Sequence, residues 1–124
     1  MNCPKCESKM EVVEFGSIEV DRCTGCQGIW FDEFEAEDLK NMKGSEVIDC
    51  GDPKVGAQQN TNDRIDCPKC HTPMIRMVDI KQPHIWYEGC TVCDGVFFDA
   101  GEFTDFKQYT LSDIVKKFFA RERS

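Results

Sequence analysis

Two blocks of alternating apolar and polar residues recur along the chain, each followed by a short apolar run that stops at an aspartate. The first block is "MEVVEF" and "IEVDRC", residues 10–15 and 18–23, separated by Gly16 and Ser17. Alternation predicts strands with one buried face, and a two-residue Gly-Ser loop between such runs predicts a hairpin. The run "GIWFD", residues 28–32, predicts a third strand, with a helix starting at Asp32. The second block repeats the order as "MIRMVD", "IWYEGC" and "GVFFD". Ile18 then matches Ile85, and Val20 matches Tyr87. The three extra residues of the second block fall at its hairpin tip, in "IKQPH", where insertions are best tolerated.

This pattern divides the chain. Residues 1–43 and 65–109 are two copies of one unit. Residues 44–64, rich in Gly, Asn, Gln and Asp, read as a flexible linker. Residues 110–124, "TLSDIVKKFFARERS", place Leu111, Ile114, Val115, Phe118 and Phe119 on one helical face. Thr110 is the candidate cap of that amphipathic helix, with Asp113 in its first turn.

Each unit is too small to build much core. Domains of about 60 residues bury only about 60% of their unfolded surface, and many need metals or disulfides. The chain has nine cysteines, and eight form four C-x-x-C pairs: Cys3/Cys6, Cys23/Cys26, Cys67/Cys70 and Cys90/Cys93. The start, "MNCPKCESKM", lacks an apolar signal core, and no stretch approaches a membrane span. A cytoplasmic location is therefore expected, where thiols stay reduced. Gaps of sixteen and nineteen residues between paired elements read as zinc sites. Cys3, Cys6, Cys23 and Cys26 form the first expected site, and Cys67, Cys70, Cys90 and Cys93 the second. Four thiolates close a tetrahedral sphere, which marks the zinc as structural. Iron in a rubredoxin-like cage is the lesser alternative. His71 and His84 are not needed as ligands. Gly28 and Gly95, two residues past each second knuckle, supply a positive φ or a close backbone approach.

The acids Asp32/Glu35 and Asp99/Glu102 repeat at a spacing that fits either an acid–base pair or a capping box. Capping is favoured: the aspartate would accept from the third helical N–H, and the glutamate would reach back to the cap N–H. No catalytic residue is assigned. Ile29, Trp30 and Phe31 match Val96, Phe97 and Phe98. One or two of each trio are expected in a small core, leaving an aromatic among Trp30, Phe31, Phe97 and Phe98 exposed for a partner.

The pattern "CPKC…CTGCQGIWFDEFE" resembles the transcription-factor-IIB-type zinc-ribbon family, as does "CPKC…CTVCDGVFFDAGEF", with Phe97 in the tryptophan position. The resemblance implies a small α+β fold: two tandem zinc ribbons, each a three-stranded antiparallel sheet plus a short helix. It implies four cysteine ligands per unit and the binding of protein or nucleic acid.

The formal charge of −8 would reach about −12 with eight thiolates and two zinc ions bound. Such a chain is repelled by phosphate backbones, so nucleic acid is disfavoured as partner and a basic protein surface is favoured. The expected function is a non-enzymatic adaptor on a larger machine, such as the transcription or translation apparatus. The acidic "DEFEAEDLK" would be its contact helix. Direct nucleic-acid binding through Lys116, Lys117, Arg121 and Arg123 is one alternative. Rubredoxin-like redox chemistry, or thiol sensing through Cys50, is another; Asp49 and Asp52 beside that thiol do not activate it.

Overall fold

A computed structural model of the chain describes residues 1–59, 65–79 and 82–107. The expected tail helix, with Lys116, Lys117, Arg121 and Arg123, lies outside them, as does the side chain of His84.

Strands β1 (Met10–Phe15), β2 (Ile18–Cys23) and β3 (Ile29–Phe31) come from unit one; β4 (Ile75–Asp79), β5 (Gln82–Gly89) and β6 (Val96–Phe98) come from unit two. Gly16, at φ 62, makes the first hairpin turn between Phe15 and Ile18. The two ribbons do not stand apart. Their six strands form one antiparallel sheet in the order β1-β2-β3-β6-β5-β4. The joint pairs Ile29 with Phe98, Trp30 with Phe97, and Phe31 with Val96. Because Ile29, Trp30 and Phe31 are the counterparts of Val96, Phe97 and Phe98, this register is reciprocal. An internal two-fold axis passes between Trp30 and Phe97, as in an isologous dimer interface.

The joint explains how so small a protein keeps its aromatics dry. Alone, each third strand would expose a hydrogen-bonding edge and most of an aromatic run. Paired, each supplies the surface that the other lacks. Period-two alternation sends Ile29, Phe31 and Phe98 to one face, beside Ala36, Leu39, Phe103 and Phe106. Trp30 and Phe97 go to the other face, among the cysteines of both units. Trp30, Phe31 and Phe97 are 0% exposed and Phe98 is 2% exposed, so none of the four offers a surface to a partner. The expectation of an exposed aromatic failed because it treated each ribbon as alone.

Helix α1 (Glu35–Lys40) follows β3, and the corresponding helix α3 spans 102–107. Between the units, residues 44–59 are not a flexible linker. Ser45–Ile48 form a 3-10 turn and Pro53–Gln59 form helix α2. Ser45 and Ile48 are buried, and the Ser45 hydroxyl donates to the Leu39 carbonyl. Gly and polar residues there permit close packing rather than freedom. A methyl on Gly51 would lie 2.6 Å from the Ala100 Cβ.

Candidate metal centres

Each C-x-x-C turn positions its two sulfurs in the same way. The residue after the second cysteine adopts the left-handed conformation at all four turns: Glu7, Gln27, His71 and Asp94 have φ of 64, 61, 58 and 60. Within each turn, backbone N–H groups point toward the first sulfur. Cys23 accepts from Gly25 and Cys26 at 3.2 and 3.3 Å, and Cys67 accepts from Lys69 and Cys70 at 3.4 and 3.3 Å. These donors spread thiolate charge.

The positive φ therefore falls one residue before each glycine. Gly28 and Gly95 serve close approach instead. A methyl on Gly28 would overlap the Phe97 ring, and one on Gly95 would overlap the Trp30 indole. The two contacts are related by the internal axis. Each glycine is the floor on which the other unit's central aromatic rests.

Sequence-paired cysteines come together as two groups, Cys3/Cys6/Cys23/Cys26 and Cys67/Cys70/Cys90/Cys93, with all sulfurs of a group within 4.8 Å of one another. Tetrahedral zinc with bonds of about 2.3 Å needs sulfurs roughly 3.8 Å apart. Cys3 and Cys26 are 3.7 Å apart, Cys6 and Cys23 3.3 Å, and Cys67 and Cys93 3.8 Å. The groups fit two structural zinc ions, each held by four thiolates. Their mutual crowding already separates the thiols. The hydrogen bond from Cys3 draws Cys26 down to about 5, while the same bond and burial push Cys3 up. Burial opposes ionisation of Cys90, yet the N–H groups of Cys93 and Val92 bring it to about 6. Cys50, the ninth cysteine, is exposed and belongs to neither group.

The repeated acids do something other than the expected side-chain capping. The cap of α1 is Phe34, at φ 69, without a side-chain bond. Half of the box is present: the Asp32 N–H donates to Glu35 Oε1 at 2.7 Å. Glu35 and Glu102 each donate a backbone N–H to the Asp32 or Asp99 carbonyl at 3.0 Å. The Asp32 and Asp99 carboxylates instead cross the axis. Asp99 meets Lys5 of the first knuckle at 2.7 Å, and Asp32 meets Lys69, the equivalent lysine of the second unit. Lys5 also pairs with Glu88 at 2.8 Å and lies 5.8 Å from the Phe97 ring centre. Burial raises Asp99 to about 6 against the pull of Lys5. A lysine inside each "CPKC" and an acid after each third strand were visible in the sequence. Their pairing across units was not, because it follows from the β3–β6 joint.

The carboxylate that does cap α3 comes from Asp49, in the interval that the sequence marks as a linker. Its Oδ1 accepts from the Gly101 N–H at 2.8 Å. Its Oδ2 accepts from the Thr104 N–H at 2.9 Å and from the Thr104 hydroxyl at 3.0 Å. Its only sequence signal is an acid 52 residues from the N–H that it serves.

Comparison with known proteins agrees with this geometry. The family described as transcription factor zinc-finger matches residues 2–42 and 66–109. No curated protein and no solved structure matches the chain. Among the described residues no helix is long and apolar enough to cross a membrane.

Proposed function

Because the chain belongs to the transcription factor zinc-finger family and carries its ribbon twice, we propose that this zinc-binding protein is a non-enzymatic adaptor that docks on a larger protein machine. The observation that carries the reading is the use made of its reactive groups. Four thiols fill each metal sphere, which leaves no position for a substrate or an activated water. Of the acids spaced like a catalytic pair, Asp32 and Asp99 are engaged in ion pairs that join the two units, and Glu35 accepts from the Asp32 N–H. Around the start of α1 the outward face is acidic: Glu33, Glu37 and Asp38 are exposed around an exposed Phe34. An acidic surface with one aromatic suits a basic protein partner and repels phosphate backbones.

The test is a crosslinked pull-down from the native cell, with and without nuclease, read by mass spectrometry. Enrichment of polymerase or ribosomal proteins that survives nuclease supports the adaptor. Recovery that disappears with nuclease replaces it with direct nucleic-acid binding. A red rather than colourless purified protein replaces zinc with iron and favours electron transfer.

A further inference from the structure

The internal axis creates two equivalent grooves, one beside each N-terminal helix end. Over unit two the groove is filled by the chain itself. Asp49 caps Gly101 and Thr104, Gly51 lies against Gln27 and Ala100, and Gly56 packs on the Ala100 backbone. Lys107 anchors the approach to this seat, donating to the Met42 carbonyl at 2.6 Å and pairing with Glu46 at 2.5 Å.

Over unit one the equivalent groove is a cavity of about 370 Å³ lined by Asp32, Glu33, Phe34, Glu37, Asp94 and Phe98, among others. These are the counterparts of Asp99, Ala100, Gly101, Thr104, Gln27 and Phe31. The two grooves differ in charge and in room. Gln27, Ala100 and Thr104 are neutral, whereas Asp94, Glu33 and Glu37 are acidic and exposed.

The chain after unit two repeats the chain after unit one. "LKNMKGSEVID", residues 39–49, aligns with "FKQYTLSDIVK", residues 106–116. Lys40 matches Lys107, Ser45 matches Ser112, Glu46 matches Asp113, and Val47 and Ile48 match Ile114 and Val115. Lys43, Gly44, Cys50 and Asp52 become Thr110, Leu111, Lys117 and Phe119, and two further changes bear directly on the groove. Asp49 becomes Lys116, and Gly51 becomes Phe118. Both changes follow the host. The neutral, tight groove receives an acid and a glycine; the acidic, roomy groove is offered a lysine and a phenylalanine.

We propose that residues 111–119 dock in the groove of unit one as residues 44–52 dock over unit two. Lys116 then faces Glu33 and Glu37, Asp113 pairs with Lys40, and Phe118 fills the cavity. The inference goes beyond the adaptor reading and stands without it. It assigns the acidic groove an occupant from the same chain, one that any basic apolar partner segment must displace.

The experiment places a benzophenone photocrosslinking residue at position 118 of the full, zinc-loaded chain. Equal amounts of ¹⁴N and ¹⁵N protein are mixed before irradiation. Crosslinks within one isotope, mapping to residues 32–37 or 94–98, are expected. Glu33→Lys with Glu37→Lys should lower their yield several-fold, as should Lys116→Glu with Lys117→Glu. Combining all four changes should restore it. Crosslinks elsewhere, a yield indifferent to charge reversal, or mixed-isotope crosslinks would overturn the proposal; the last would show a second copy in the groove.

Discussion

The ammonium of Lys5 lies 2.7 Å from the carboxylate of Asp99, a residue 94 positions further along the chain. Both side chains are out of water, at 0% and 1% exposure. The counterpart pair, Lys69 with Asp32, has the same residue types at the same repeat positions but is 41% and 42% exposed. Equivalent chemistry thus sits in two dielectric settings, and the energies should differ accordingly.

Removing one partner of a buried pair strands the other. Lys5→Met leaves both Glu88 and Asp99 without their shared cation and should cost about 3–5 kcal/mol. Lys69→Met removes a half-exposed pair and should cost less than about 1 kcal/mol. Denaturant unfolding of the zinc-loaded variants measures both. Equal losses would mean that burial does not separate the two sites.

Asp99 also makes stability depend on pH. Its ordinary value near 3.9 is raised to about 6 in the fold, so the native state holds a proton that the unfolded chain has lost. Its contribution is complete below about 4 and lost as pH rises through about 6. Relative to Asp99→Asn, the wild type should gain stability between pH 7.5 and pH 5.5. Urea titrations of the zinc-loaded proteins at those two pH values give the comparison. A constant gap would remove Asp99 as the source.

Metal removal should not unfold the units one at a time. The two sulfur groups share one apolar layer with Trp30 and Phe97, and the sheet is continuous through β3 and β6. A structural zinc contributes an apparent ~10–16 kcal/mol, comparable to a small domain's whole stability. Cys6→Ser, which breaks only the first site, should therefore also disorder α3 and β6. Two zinc ions per wild-type chain by elemental analysis, with amide signals of both units lost together on chelation, is the expected result. Survival of unit two alone would show that the joint adds little.

Asp49→Ala tests the cap that unit two borrows. The substitution should cost about 0.5–2 kcal/mol and speed hydrogen exchange at the Gly101 and Thr104 amides first. Unchanged exchange at those two amides would show that Asp49 does not hold the start of α3.

The short-range content of this protein is legible in its sequence. Knuckle spacing, the Gly16 turn, the strand alternation and the eight ligands depend on residues close in sequence, or on a metal whose ligand set announces itself by type. The sequence alone therefore determined the ribbons, their repetition and their zinc. Only the tertiary structure decided that the ribbons fuse. "IWF" and "VFF" read the same whether their open edges meet each other, another chain or water, because backbone edges carry no address. Once β3 pairs with β6, the exposed aromatics become core and the capping aspartates become ion-pair partners. The same joint brings residues 44–59 within reach of unit two's surface, and the linker becomes a packed segment that caps a helix. Those roles arise from long-range proximity, which a local pattern does not encode.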